Sequence, residues 1–342
     1  MRPARKRKAY ARAGVDVDLG NQLKRRIQRL LRQTHGPQVL GKIGGFAGLF
    51  RAQFPGMRDP VLVASIDGVG TKLKIAFALD RHDTVGADLV NHCVNDIAVV
   101  GARPRFFLDY IGCEKLEPRV FDQLIRGFSR ACRAASCALI GGETAQMPGM
   151  YRKGEYDLAG CIVGVVDRAK IIDGSKIKPG DVILGLASSG LHTNGYSLAR
   201  KILFETMQLK INSRLPGSRS TVGAELLRVH KNYQPLLAKV PSGMIKGLAH
   251  ITGGGLIDNL PRILPKNCDA MIETKSWRVP RIFQILQRNG DVDLAEMYQV
   301  FNMGIGMVAI LAERDATRTM SILRARRIGR IERGSGKTRL KL

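Results

Sequence analysis

Apolar residues in this chain fall in short blocks separated by glycine-rich polar turns, and the blocks follow two different periods. Leu23, Ile27, Leu30 and Leu31 recur at three- and four-residue spacing with Lys24, Arg25, Arg26 and Arg29 between them, which predicts an amphipathic helix. Asp16 or Asp18 would cap it and Gly36-Pro37 would end it. Val61-Leu62-Val63-Ala64 is a compact β-type run and predicts a buried strand. Similar runs predict strands over 105–110, 138–140, 156–166, 182–187 and 327–331. Helices are expected over 89–100 and 118–135. Strands alternating with helices define an α/β (α+β) class. The turn-rich stretch 167–181 divides the chain into a domain over 13–170 and a second over 171–342 that ends in a basic tail, both behind a basic tail at 1–12.

Several predicted strands run into the same kind of turn. After the first comes Asp67-Gly68-Val69-Gly70-Thr71-Lys72, an acid followed by glycines, a hydroxyl and a lysine. The strand at 105–110 closes on Asp109-Tyr110. The one at 138–140 opens onto Gly141-Gly142-Glu143-Thr144. Carboxylates brought to one cleft by neighbouring strand ends suit Mg²⁺, which takes oxygen ligands and phosphate. Lysine and free backbone amides suit phosphate oxygens. Asn95-Asp96 falls in the middle of a predicted helix, where both residue types are poorly placed; it is read as a further carboxylate held towards a metal. Gly41 to Gly48 is a second glycine-rich loop. In the second domain, Ser188-Ser189-Gly190-Leu191-His192-Thr193-Asn194-Gly195 opens a helix, a ready anion site. His250-Ile251-Thr252-Gly253-Gly254-Gly255 repeats that composition.

Composition narrows the picture. The chain has 342 residues, 44% of them hydrophobic, enough for two ordinary soluble domains. No apolar run approaches the ~20 residues of a membrane span, and the basic N-terminus lacks the apolar stretch of a secretory signal. Six cysteines without Cys-x-x-Cys pairing read as core residues of a reducing, cytoplasmic setting. The net charge of +26 invites a polyanion partner. The aromatic content is only 6%, without interleaved basic and aromatic positions, which argues against a base-stacking platform; weak polyanion binding stays open and specific nucleic-acid recognition is not expected. Gly336-Lys337-Thr338 lacks the earlier glycine of a P-loop, since position 331 is Ile331, so an ATP site here would be of another kind.

Taken in order, the motifs Asp67 to Lys72, Cys93-Val94-Asn95-Asp96, Phe106 to Tyr110, Gly141 to Tyr151, Ser188 to Gly195, Thr252 to Gly255 and Phe301-Asn302-Met303-Gly304-Ile305-Gly306 closely resemble those of the phosphoribosylformylglycinamidine cyclo-ligases, the AIR synthetases. The resemblance runs from about Tyr10 to about Ile331. It departs at Gln146, where glutamate is usual, and at Thr193, where serine is common, and it leaves out the basic termini.

The resemblance implies a homodimer whose N-terminal sheets pair into a barrel, with ATP and Mg²⁺ as cofactors and no P-loop. It implies ring closure of formylglycinamidine ribonucleotide to aminoimidazole ribonucleotide. On it, Asp67, Asp96, Asp109 and Glu143 would hold Mg²⁺. Gly44, Gly45, Asp67, Gly68, Gly70, Thr71, Lys72, Asn95, Gly141 and Gly142 would meet ATP. Ser189, Gly190, His192, Thr193, Asn194, Thr252, Gly253 and Gly254 would face the ribotide. Lys72, His192 and His250 would be catalytic, with the proton-moving histidine left open. A thiamine-monophosphate kinase-like phosphotransferase of the same superfamily and a basic polyanion-binding protein are the alternatives.

Overall fold

The structure is a computed structural model that describes residues 8–40 and 45–341. Helix α1, Val17–Arg32, buries Leu23, Ile27 and Leu31 against a later helix of the same domain. Asp16 caps it by accepting the Leu19 amide at 3.0 Å, so the first of the two candidate caps is the one used.

The first domain is a four-stranded sheet under two helices. Its strands are β1 (Pro60–Gly68), β2 (Arg103–Cys113), β3 (Ala138–Gln146) and β4 (Tyr156–Asp167), in the order β1-β4-β2-β3. Only β2 and β3 run parallel. Helices α2 (Asp83–Ala98) and α3 (Pro118–Ala134) lie side by side. They approach closely because glycines face the crossing: a Cβ on Gly127 would lie 2.3 Å from Asp83 O, and one on Gly86 2.6 Å from Leu124 O. The burial of β1 alternates along its length. One face meets α2, and the other leaves Leu62 and Ile66 63% and 71% exposed.

Three expectations change here. Helix α2 begins at Asp83, not at 89. Gly141, Gly142 and Glu143 lie inside β3 rather than in a loop, with Gly142 opposite Asp109. A Cβ on Gly142 would fall 2.3 Å from Asp109 O, so this glycine allows close strand approach instead of making a turn. The basic C-terminal stretch is not a tail: Thr338–Lys341 adds a sixth strand to the second sheet.

That second sheet has β5 (Val182–Ala187), β6 (Ile245–His250), β7 (Cys268–Glu273), β8 (Ile305–Leu311), β9 (Arg326–Arg333) and β10 (Thr338–Lys341), in the order β10-β7-β9-β5-β8-β6. Every residue of β8 is buried. Phe283 and Leu286 pack with Ile310 on one side, while Ala316 and Leu323 pack with Ala309 on the other. Burial on both faces explains the unbroken apolar run. The terminal strand is pinned by Asp269, which accepts the amides of Ser335 (2.7 Å) and Lys337 (2.9 Å) and Arg339 Nε (2.6 Å).

Candidate active site at the domain junction

Helix α2 carries Asp88, Asn91, His92, Asn95 and Asp96 at the spacing by which helices usually present an apolar stripe. These polar residues are directed at the second domain. Asp88 Oδ1 accepts the His230 amide (2.7 Å), and Asn91 Nδ2 donates to His230 O (2.7 Å). Asn95 Nδ2 donates to Lys231 O (2.8 Å), and Asn95 Oδ1 accepts the Tyr233 amide (2.9 Å). The helix therefore satisfies the backbone of 230–233 as a neighbouring strand would. This explains Asn95 in mid-helix.

Lys72 completes the junction. It is fully buried, pairs with Asp88 Oδ2 at 2.8 Å, and donates to His192 O (3.0 Å) and Arg228 O (2.7 Å). Burial pushes Lys72 down and Asp88 up, each towards its neutral form. Two of its contacts are bonds donated to carbonyl oxygens and the third is the ion pair with Asp88, so removing either partner would leave the other buried without its mate. The resemblance puts Lys72 at the ATP phosphates; here two of its contacts cross to the second domain, at His192 O and Arg228 O, and the third is to Asp88 of its own domain. Thr71 Oγ1 also crosses the junction, 3.1 Å from Ser197 Oγ.

On the adjoining stripe of α2, a line of hydrogen-bonded groups runs between two carboxylates. Asp67 Oδ2 lies 2.7 Å from His92 Nε2, and His92 Nδ1 lies 2.8 Å from Thr193 Oγ1. Thr193 Oγ1 lies 3.2 Å from His230 Nδ1, and His230 Nε2 lies 2.9 Å from His250 Nε2. His250 Nδ1 lies 2.8 Å from Asp96 Oδ1. Asp96 Oδ2 also accepts from Ser65 Oγ at 3.1 Å.

Each of these five links from Asp67 to Asp96 needs a proton. Three neutral imidazoles and one hydroxyl supply only four, so the line carries one proton more than that. With the extra proton on His92, all links are satisfied in one sense: His92 donates to Asp67 and Thr193, Thr193 to His230, His230 to His250, and His250 to Asp96. Burial opposes a charge on His92, but the Asp67 hydrogen bond and the Asp96 charge raise it above its ordinary value. Burial pushes His230 well down and also lowers His250.

His192 lies beside this line, its ring stacked on His230 at 4.0 Å and 19°. Its backbone is left-handed (φ 63°), and Nε2 accepts the Ser189 amide at 3.2 Å. Its buried Nδ1 has no partner among the described residues. Burial pushes this histidine well down too. Gly306 leaves it room, since a Cβ there would lie 2.4 Å from His192 Cε1. The nitrogens of His192, His230 and His250 approach within metal-ligand range. Stacked rings, however, send their in-plane lone pairs along parallel directions, and the His230–His250 contact is itself a hydrogen bond. The three rings do not converge on an ion.

The expected carboxylates divide. Asp67 and Asp96 converge on His92 Nε2, at 2.7 and 3.7 Å. Asp67 stays 41% exposed at its side chain and Asp96 25%. Asp109 sits two strands from Asp67, both opposite Gly160, or about 10 Å away across the sheet. Burial, with the Glu143 charge adding to it, pushes the Asp109 carboxyl up to about 7. Glu143 is exposed, follows Gly142 in β3 and so points to the opposite face, where it accepts the Thr144 amide at 2.8 Å. Within the chain, Asp67 and Asp96 thus lie together, with Asp109 and Glu143 apart from them.

The loops of the second domain meet the junction. Ser189 Oγ donates to Val229 O at 2.6 Å, and Gly190 O accepts Asn302 Nδ2 at 2.8 Å. Asn194 Nδ2 is buried without a partner among the described residues. Thr252 Oγ1 donates to Asn259 Oδ1 at 3.3 Å, Gly253 O accepts Asn259 Nδ2 at 3.1 Å, and Gly254 (φ 95°) opens the short helix Gly255–Asn259. Gly68 ends β1, Gly70 is left-handed (φ 68°), and Gly45 is exposed; Gly44 lies outside the described residues. Sequence reasoning missed Asp88, Asn91, His92 and His230. For the first three the signal was their spacing with Asn95 and Asp96. His230 sits in an irregular stretch and offered none.

The class this fold and junction define is that of the AIR synthase related proteins. Residues 51–166 match the N-terminal domain of that family and 178–341 match its C-terminal domain. The chain is 53% identical to the phosphoribosylformylglycinamidine cyclo-ligase of Trichlorobacter lovleyi over 93% of its own length and 91% of that protein. It is 48% identical to the one from Bacillus thuringiensis subsp. konkukian over 96% and 97%. The chain belongs to the phosphoribosylformylglycinamidine cyclo-ligase family. Among solved structures, thiamine-monophosphate kinase from Stenotrophomonas maltophilia shares the fold at 18% identity, with a TM-score of 0.68 over 92% of this chain and 95% of that one. Hydrogenase maturation protein HypE in complex with ATP does so at 19%, with a TM-score of 0.65 over 92% and 90%.

Proposed function

We propose that this chain uses ATP to close formylglycinamidine ribonucleotide into aminoimidazole ribonucleotide, releasing ADP and phosphate, as a step of purine biosynthesis. An amide oxygen is a poor leaving group. Transfer of the γ-phosphoryl to it forms an imidate phosphate, and the neighbouring nitrogen then displaces phosphate as the ring closes. Such transfer asks mainly for positioning and charge neutralisation. The observation that carries the reading is the identity of about half the residues, over more than nine-tenths of the chain, with phosphoribosylformylglycinamidine cyclo-ligases; the line from Asp67 to Asp96, which both domains complete, lies at the junction where the reading puts the chemistry. His192 and Asn194, each with a buried polar atom free of partners among the described residues, would receive the ribotide beside it. ATP use is supported by the shared fold of HypE solved with ATP and of a thiamine monophosphate kinase solved with AMPPCP and TMP.

Mg²⁺ fits one part of the expected set. Asp67 and Asp96 offer hard oxygen donors, both partly exposed, around the point that the His92 edge approaches; a divalent ion there would take the place of the extra proton of the line, since a charged imidazole would repel it. These two residues would hold it, and it would neutralise phosphate charge. A second copy of the chain would cover the sheet face that exposes Leu62 and Ile66. No helix among the described residues is long and apolar enough to cross a membrane. All six cysteines are free thiols, as suits a cytoplasmic enzyme.

The test is phosphate release from ATP with and without the ribotide, with the product identified by mass. Ribotide-dependent release with a cyclised product supports the reading. Nucleotide binding without ribotide-dependent turnover would overturn the substrate and turn attention to the kinase-like alternative.

A further inference from the structure

Past the last residue of α2 the two domains line a separate, half-open cavity of about 430 Å³. Ala98, at the end of the helix, reaches it, while Asp88 lies ten residues back, or about 15 Å along the axis. Its size falls in the range of small-molecule sites, roughly 300–1,000 Å³. One part of its wall is apolar, with Val165, Leu237, Val240 and Leu248. Another part carries Arg103, Arg105 and Lys170, against a single acid, Asp167.

Asp167 is already used locally. It accepts the amides of Arg58 (2.9 Å) and Ala169 (3.3 Å) and caps the turn after β4. None of the three cations has an ion-pair partner among the described residues. Arg105 lies over the Phe54 ring at 5.3 Å, which holds its guanidinium in place, and its Nε is buried without a hydrogen bond. Burial, and next the charge of Arg103, lower the Arg105 pKa. A bound anion would give the unpaired Arg105 Nε the acceptor it lacks.

We propose that this cavity is a ligand site, distinct from the junction around His92, for a small phosphorylated molecule with an apolar or planar part. The charge selects phosphate: three cations against one acid leave an excess of two, and a phosphate monoester carries about −1.5 to −2 at neutral pH. Arginine pairs take such oxygens in bidentate fashion. The apolar wall selects a ligand that is more than a bare ion. The site also bridges the domains, since Arg103, Arg105 and Val165 come from the first and Leu237, Val240 and Leu248 from the second.

The test is calorimetric titration of the full-length protein with phenyl phosphate and, separately, inorganic phosphate. Phenyl phosphate should bind at least tenfold more tightly than inorganic phosphate. The double variant Arg103→Gln/Arg105→Gln should weaken it tenfold or more. Ala238→Trp, at an exposed position of the lining, should block it by filling the cavity while leaving every charge in place. The two variants fail together only if the cavity is the site. Equal binding by wild type and Ala238→Trp, or no binding of phenyl phosphate to wild type at millimolar concentration, would overturn the proposal.

Discussion

Lys72 and Arg105 both lie where the two domains meet, one against Asp88 within α2 and the other past the end of that helix, and they are bound in opposite ways. Lys72 is fully enclosed, paired with Asp88 of its own domain and donating to two carbonyl oxygens across the junction. Arg105 has a second arginine beside it, an aromatic ring beneath it and a buried Nε with no acceptor. A buried cation whose donors are all taken is a structural tie. A cation whose donors face a cavity without an anion is a place for one to bind. The lysine that ends a phosphate-like motif is thus tied into the junction, while an arginine near the start of β2 is the one left open.

Substitutions should widen or close that contrast. Lys72→Met leaves Asp88 buried without its counter-charge and should cost the most, about 3–5 kcal/mol in denaturant unfolding. Adding Asp88→Leu should restore part of it, because the uncompensated charge goes too. Asn95→Ala removes two bonds to the 230–233 backbone and leaves a buried amide and carbonyl unpaired. It should cost about 1–3 kcal/mol and raise hydrogen exchange at the Tyr233 amide.

The smallest effect concerns Asp269, whose carboxyl the Lys337 and Ser335 amides and then Arg339 hold down to about 2. A carboxyl depressed in the folded state stabilises above its unfolded pKa, about 3.9, and that contribution is lost as pH falls towards 2. Wild-type stability should therefore drop between about pH 4 and pH 2 by more than that of Asp269→Asn. Equal slopes in acid melts would remove Asp269 as the anchor of β10.

Much of the fold was legible in periodicity. The stripe of Leu23, Ile27 and Leu31 and the apolar runs of β1, β4 and β5 correspond to observed elements. Gly141 and Gly142 misled, because glycine marks both a turn and a close strand contact, and only the Asp109 strand beside them decides which. The site was half legible. Asn95-Asp96 stood out as wrong for a helix interior unless something faces it, and something does. Asp67 and Asp96 meet as expected, whereas Asp109 and Glu143 are separated by the strand register and pleat. The burial of Lys72 was not legible, because burial is not written in a motif. His230 reaches the site through a contact with Thr193, 37 positions away, and an irregular stretch gives no periodic hint of its partner.

The most direct test of the contrast at the junction is denaturant unfolding of Lys72→Met and Arg105→Met side by side, without added ligand. We expect Lys72→Met to lose about 3–5 kcal/mol and Arg105→Met to stay within about 0.5 kcal/mol of wild type, since the first removes a tie and the second only an unanswered charge. Comparable losses in the two variants would contradict the account, for Arg105 would then be as much a part of the fold as Lys72.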